Sequence, residues 1–359
     1  MRGLALRVRR IGRALCALVL SIGFAAMATA LDADTMRIRV GDRTAIVPGT
    51  ASADLLLDYA LIADQTYADS LYDSARPYDV GPDTYCLGRQ AAADKCVDRL
   101  GLTPYAIARL KRWRLIWAEK DVSAFPCPPA RWSCTASVPG LGVQIWMRRG
   151  RVCPEAVVAF RGTDGASADD WLSNLRWLLR AVPLYDQYSQ VEDYTPGFLD
   201  IVRRQACFRP GLTRLVAVGH SLGGGLAQTA AYRDGHLRRV LAFDPSFVTG
   251  YADLPRELRE RNRRGLEINQ VYEQGEILSY PRALLQAVVP PTSCDPLVRT
   301  VRLHTITGNP IARHSLNSMA TAVLNWSQRA AKAGRPADAP FQPPARASCQ
   351  DTPAMAAMR

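Results

Sequence analysis

Leu215-Val216-Ala217-Val218-Gly219-His220-Ser221-Leu222-Gly223-Gly224-Gly225-Leu226-Ala227 is the stretch on which the reading of this chain turns. Four apolar residues lead into Gly-x-Ser-x-Gly and then into small residues. That spacing predicts a buried strand, a sharp turn with the serine hydroxyl held up on it, and a helix. The flanking glycines carry no Cβ, so the bend closes without striking neighbouring strands. Glycine inside a helix costs about 1 kcal/mol relative to alanine. Three in succession at a helix start therefore imply that helix and sheet approach closely there. Five residues alone are a weak pattern; the strand before and the helix after mark Ser221 as a candidate nucleophile.

Outward from this point, the chain alternates strands and helices. Gln144 to Met147 and Val157 to Phe160 read as strands joined by a turn at Arg149-Gly150. After the helix from Leu222 to Arg233 come strands at Val240–Phe243, Ile268–Tyr272 and Val298–Leu303, then a helix from about Ser315 to Ala331. Leu56, Tyr59, Ala60, Ala63 and Tyr67 recur at helical spacing. The expected class is α/β, a mainly parallel sheet covered by helices on both faces. Residues 68–140, rich in Pro, Cys and Arg, read as a disulfide-stapled N-terminal insertion holding one helix around Tyr105 to Trp117. The domain plan is a signal peptide at 1–30, one catalytic domain at 31–332, and an Ala/Pro-rich tail at 333–359.

The N-terminus has the build of an export signal. Arg2, Arg7, Arg9, Arg10 and Arg13 precede an apolar run from Ala14 to Ala26, and Ala28-Thr29-Ala30 offers small residues for cleavage before Leu31. An uncleaved anchor is the alternative, since the run to Leu31 nearly spans a bilayer. The 359 residues carry a formal charge of +12; without the first thirty, 40 basic face 33 acidic side chains. All the basic residues but Lys95, Lys111, Lys120 and Lys332 are arginines. An arginine bias explains that surplus as well as an anionic partner does, so no nucleic acid is expected. Eight cysteines remain after Cys16, an even set that suits disulfides in a periplasmic or extracellular setting. Cys86 with Cys96 and Cys127 with Cys134 are near in sequence. Cys153 and Cys207 each precede a core strand and would meet if those strands are parallel neighbours, leaving Cys294 for Cys349. Neither C-x-x-C nor H-E-x-x-H spacing is present, so no metal is expected.

With these elements placed, the chain resembles the class 3 lipase family of the α/β-hydrolase fold, including its bacterial lipase-like branches. The likeness runs from about Ala53 to Trp326. It rests on Val158-Ala159-Phe160-Arg161-Gly162-Thr163, Asp170-Trp171-Leu172-Ser173-Asn174-Leu175, Pro196-Gly197-Phe198, the elbow itself, Phe243-Asp244-Pro245, and Gly275-Glu276-Ile277-Leu278-Ser279-Tyr280-Pro281. The chain departs from the family pattern in having Thr195 for a histidine, Asp244 in the Phe-Gly-x-Pro segment, and Glu276 for an aspartate.

Ser221 needs a base, because a serine hydroxyl is a poor nucleophile at neutral pH. Four histidines are available. His220 is expected to point away from the base position, and His236 sits in an Arg-rich, solvated stretch. His304 ends a strand and His314 precedes the last helix; the resemblance favours His314, with His304 as the alternative. For the acid the resemblance implies Glu276, with Asp244 the rival and Glu273 too early. Leu222 at the helix start offers one oxyanion donor, and the resemblance adds Thr163. Trp171, Leu175, Leu178 and Val182 share a helical face in the segment where such lipases carry a lid, with Asp186 to Tyr194 a polar loop at its rim.

The expectation is an exported serine hydrolase of carboxylic esters, a lipase or phospholipase working through an acyl-enzyme with no cofactor. Its partner would be a lipid or other ester substrate, at a membrane or lipid surface; a cognate immunity or chaperone protein is compatible but unsupported by any residue. The alternatives are a non-lipid esterase (aryl ester, polyester or acyl-sugar) and an inactive binding protein of the same fold.

Overall fold

The apolar run before Ser221 is one of the central strands of a nine-stranded sheet. The computed structural model describes residues 34–68, 103–120, 140–163, 186–279, 281–283 and 292–334. Strands β1 (Thr35–Val40) and β2 (Arg43–Pro48) lead into helix α1 (Gly49–Gln65), followed by α2 (Pro104–Leu110), β3 (Trp113–Glu119), β4 (Val143–Arg148) and β5 (Glu155–Phe160). Then come α3 (Gln187–Arg203), β6 (Arg214–His220), α4 (Leu222–Arg233), β7 (Leu237–Phe243), α5 (Arg256–Asn262), β8 (Glu267–Glu273), β9 (Leu297–Leu303) and α6 (Leu316–Lys332). The sheet order is β2-β1-β9-β8-β7-β6-β5-β4-β3. The five central strands run parallel, and antiparallel pairs close both edges. This is the α/β-hydrolase arrangement.

Period-two alternation divides the core into two layers. Val216, Val218, Leu241 and Phe243 pack with α1 and α6 on one face. Ala217, Val240, Ala242 and Val158 pack with α3 and α4 on the other. Both faces are dry, which is why these strands read as unbroken apolar runs. Helix α6 starts where Ser315 Oγ accepts from Ser318 N. Its Trp326 ring lies against Gly49, where an added Cβ would sit 2.4 Å from the indole. Among the described residues no helix is long and apolar enough to cross a membrane.

Two expectations are corrected, and one element is new. Trp113 to Trp117 is not helical: α2 ends at Leu110, and the aromatics enter edge strand β3, paired with β4. Buried Asp58 explains the switch, because its carboxylate accepts from Arg109 Nε at 2.6 Å and Trp113 Nε1 at 3.0 Å. The helix end and strand start are thereby fixed on α1, and residues 113–119 belong to the main sheet instead of an insertion. Asp186 to Tyr194 is not a loop but the start of α3, capped by Asp186 Oδ1 accepting from Ser189 N. Its Tyr188 is buried and donates to Val248 O. The β1–β2 hairpin was not anticipated at all, although Met36, Ile38 and Val40 alternate inward as a half-buried strand should. The signal region, Cys86, Cys96, Cys127, Cys134 and Cys349, Asp170 to Val182, and the tail beyond 334 lie outside the described residues.

Cys153 and Cys207 form a disulfide with Cα atoms 5.2 Å apart, at the entrances to parallel neighbours β5 and β6. Cys294 is also disulfide-bonded. The Cys153–Cys207 bond spans 54 residues of chain. Replacing both cysteines with alanine should cost about 4 kcal/mol through the freed unfolded chain, measurable as a lowered urea midpoint. An unchanged midpoint would mean the bond constrains nothing.

Candidate active site

Ser221 occupies φ 55° and ψ −122°, a region disfavoured for any residue with a Cβ. The turn holds because its neighbours make it unavoidable. Ser221 N donates to Phe243 O at 2.9 Å, and Ser246 N donates to Ser221 O at 2.8 Å. A Cβ on Gly219 would fall 2.2 Å from Gly223 O, and one on Gly223 would fall 2.3 Å from Phe160 O. The close approach inferred from the glycine run is therefore backbone on backbone. The same crowding joins the end of β5 to the elbow, since a Cβ on Gly162 would lie 2.4 Å from His220 O. Thr163 follows Gly162 directly and is half-buried, while Leu222 opens α4 on the other side of Ser221. Leu222 thus adjoins the serine in the chain, and Thr163 adjoins a glycine packed on His220 O.

His314 ends a short 3-10 turn, Ala312–His314, ahead of α6. Its Nε2 lies 2.9 Å from Ser221 Oγ, and its Nδ1 lies 2.9 Å from Glu276 Oε2. An ionised carboxylate can only accept, so Nδ1 carries the proton and the Nε2 lone pair faces the hydroxyl. Glu276 follows Gly275, whose φ of 75° turns the chain after β8. Burial opposes its charge, but Arg282 and the hydrogen bond from His314 bring the carboxyl down to about 2. Arg282 NH1 donates to Oε1 at 2.7 Å, Ser279 Oγ to the same oxygen at 3.2 Å, and Leu278 N to Oε2 at 2.7 Å. Glu276 is therefore an anion surrounded by donors.

The rivals make other contacts. Asp244, at the end of β7, is fully buried and accepts from Glu273 N at 2.9 Å. Burial and the nearby Glu276 charge push its carboxyl well above the ordinary range. Glu273 is engaged by Thr305 and Ile306 N. His304 is not joined to Ser221, and its Nδ1 has no partner among the described residues. His236 is at the surface, bonded to Asp234 and Arg203. Thr195 returns its hydroxyl to Val191 O within α3.

His220 does not point away. Its ring centroid is 5.0 Å from that of His314, and its Nε2 is 3.0 Å from His314 O. Burial, then the charge on His314, lowers it to about 3, so it is neutral. A carbonyl only accepts, so Nε2 holds the proton and Nδ1 accepts from Tyr67 OH at 3.0 Å. Tyr67 OH also lies where a Gly162 Cβ would be, 2.5 Å away. Tyr67 and His220 thus pack between the end of β5 and the backbone of His314. Sequence reading missed this pair and Arg282. Arg282 lies six positions after Glu276, but nothing local says that its guanidinium turns back.

His220, Asp244 and His314 bring possible metal-ligand atoms within 4.8 Å of one another. All four imidazole nitrogens are already engaged, by Tyr67, His314 O, Ser221 and Glu276. A cation there would have to displace the serine contact, so the donor set does not fit a resident metal.

Fold and site together define a hydrolase of the lipase and phospholipase kind. Residues 59–241, about half of the chain, match the model of the phospholipase-like family described as the Tle-like phospholipase domain. The chain belongs to that Tle-like phospholipase family. Among solved structures it is similar to lipase II from Rhizopus niveus, with 14% identity over 70% of this chain and 78% of that one and a TM-score of 0.38. No curated protein sequence matches significantly.

Proposed function

We propose that the chain is an exported serine hydrolase that releases fatty acid from phospholipid through an acyl-enzyme. The observation that carries this reading is the continuous line Glu276 Oε2–His314 Nδ1 and His314 Nε2–Ser221 Oγ, 2.9 Å at each step. In the first step Ser221 Oγ attacks the ester carbonyl carbon as His314 Nε2 takes its proton. The oxygen that gains negative charge faces the N–H groups of Leu222 and Thr163, each worth about 100- to 1000-fold in rate. The carbonyl–oxygen ester bond then breaks, His314 protonates the leaving alkoxide, and the acyl group stays on Ser221. Water, deprotonated by His314, frees the fatty acid and restores the serine. Glu276 holds the imidazole in register and offsets its charge without taking the proton.

Family membership supports a phospholipid as substrate, and the motifs from Ala53 to Trp326 support kinship with class 3 lipases. Export is supported by the arginine-led apolar start and by the Cys153–Cys207 bond, which suits an oxidising compartment. The test compares phospholipid vesicles, triglyceride emulsions and short p-nitrophenyl esters, with fluorophosphonate-blocked protein as control. Blockable release of fatty acid and lysophospholipid from vesicles is expected. Turnover of short esters alone would make it a non-lipid esterase, and no blockable turnover would leave a binding protein of this fold.

A further inference from the structure

Asp244 has no place in the scheme above, yet it is one of the most constrained residues near the site. It and Ser221 are the two non-glycine residues with positive φ among the described residues, at 38° and 55°. Aspartate tolerates this region better than most side chains, but a positive φ persists only where the surroundings enforce it. Here Asp244 N donates to Val271 O at 2.7 Å. Oδ1 accepts from Glu273 N. Oδ2 is buried with no partner among the described residues. A carboxylate oxygen of Asp244 lies within 4.8 Å of ring nitrogens of both His220 and His314. An unsatisfied buried oxygen costs about 1–3 kcal/mol, so its retention beside the base calls for a reason.

We propose that Asp244 is a reserve acid for His314: a second carboxyl, one strand nearer the elbow than Glu276, that supplies the compensating negative charge when Glu276 cannot. The inference rests on the hydrolase reading. Burial is the largest influence against an Asp244 charge, and the groups facing it set the balance that remains. Glu273 and Glu276, from β8 and the turn after it, oppose its charge, while Arg282 favours it. From the elbow and the 3-10 turn come neutral His220 and the ring of His314. His304, after β9, acts on Glu273. In the resting chain burial and the Glu276 charge hold the Asp244 carboxyl well above the ordinary range, so its neutral form is favoured. With Glu276 neutralised, the largest opposing charge is gone and Arg282 loses its counter-ion. Asp244 then gives its proton to solvent and faces the imidazolium that forms when His314 takes the Ser221 proton.

The experiment measures kcat/KM against pH for the wild-type chain, D244N, E276Q and E276Q/D244N. Losing the acid function outright costs about ten-thousand-fold. The expected results are D244N within about threefold of wild type, E276Q down by no more than about 100-fold, and the double variant down by about ten-thousand-fold. The acid limb separates an electrostatic role from a structural one. A facing carboxylate raises an imidazole, so the limb should stay near its wild-type position in E276Q and fall by about one pH unit in the double variant. Equal activity and equal limbs in E276Q and E276Q/D244N would overturn the proposal while leaving the hydrolase reading intact. Absence of fluorophosphonate-sensitive turnover in the wild-type chain would overturn both. If E276Q does not fold, carbon-13 spectra of the wild-type aspartate carboxyls decide. A signal absent from D244N that stays neutral where ordinary carboxyls ionise supports the reserve acid; ionisation with the others overturns it.

Discussion

Ser221→Ala should lower ester turnover by about ten-thousand- to a million-fold, with the fold unchanged. The loss is chemical. Alanine keeps the Cβ that the φ of 55° already accommodates, so the backbone cost of the elbow is the same before and after. What disappears is the Oγ that meets His314 Nε2 at 2.9 Å. Without it neither the attack nor the acyl-enzyme can form, and His314 can at best activate water. The hydroxyl sits in a turn whose strain serves presentation rather than stability, so the thermal midpoint should hold or rise slightly. Turnover, fluorophosphonate labelling and thermal unfolding measured on one preparation check this. Undiminished turnover, or labelling that persists at another residue, would remove Ser221 from the nucleophile's role.

Arg282→Met should be the most damaging single change that leaves Ser221 and His314 in place. The guanidinium is buried, donates to Glu276 Oε1 at 2.7 Å and to Pro245 O at 2.8 Å, and faces the Tyr272 ring at 4.6 Å. Removing one partner of a buried ion pair leaves the other uncompensated and costs about 3–5 kcal/mol. The pH dependence follows from the direction of the Glu276 shift. Its carboxyl is depressed in the folded chain, to about 2 from 4.5. Its ionised form therefore stabilises the fold fully above pH 4.5, and that contribution is lost as pH falls toward 2. In the variant, burial is no longer opposed by Arg282 and the carboxyl rises. The stability gap to wild type should then be widest near neutrality and close as pH falls below about 4. Urea unfolding across that range measures it. A gap constant with pH would show that Arg282 acts through packing alone.

Much of the fold was legible because its signals are local. The runs Val157–Phe160, Leu215–Val218 and Val240–Phe243 are apolar at every position, as strands buried on both faces must be. The Trp113–Trp117 segment was misread because Trp, Arg, Leu and Ile suit either a strand or a helix. A carboxylate 55 residues earlier, on α1, chose between them. Asp186 to Tyr194 looked like a loop because its polar residues were weighed without their cap and without the Val248 carbonyl that Tyr188 reaches. At the site, Ser221 was marked by five residues together with the strand before and the helix after them, whereas His314 and Glu276 were named by resemblance and order along the chain.

By itself the sequence determined what depends on near neighbours: the strand–turn–helix at Ser221, the parallel strands around it, and the small residues that let helix and sheet touch. Such patterns are written within a few residues because backbone sterics and side-chain periodicity act over that range. Only the tertiary structure decided which groups share the space behind the serine. Arg282 turning onto Glu276, Tyr67 and His220 packing between β5 and His314, and Asp244 lying beside both histidines are contacts between residues up to 153 positions apart. Those contacts arise because parallel strands deliver their carboxyl ends to one edge of the sheet, and no local spacing encodes which side chains meet there.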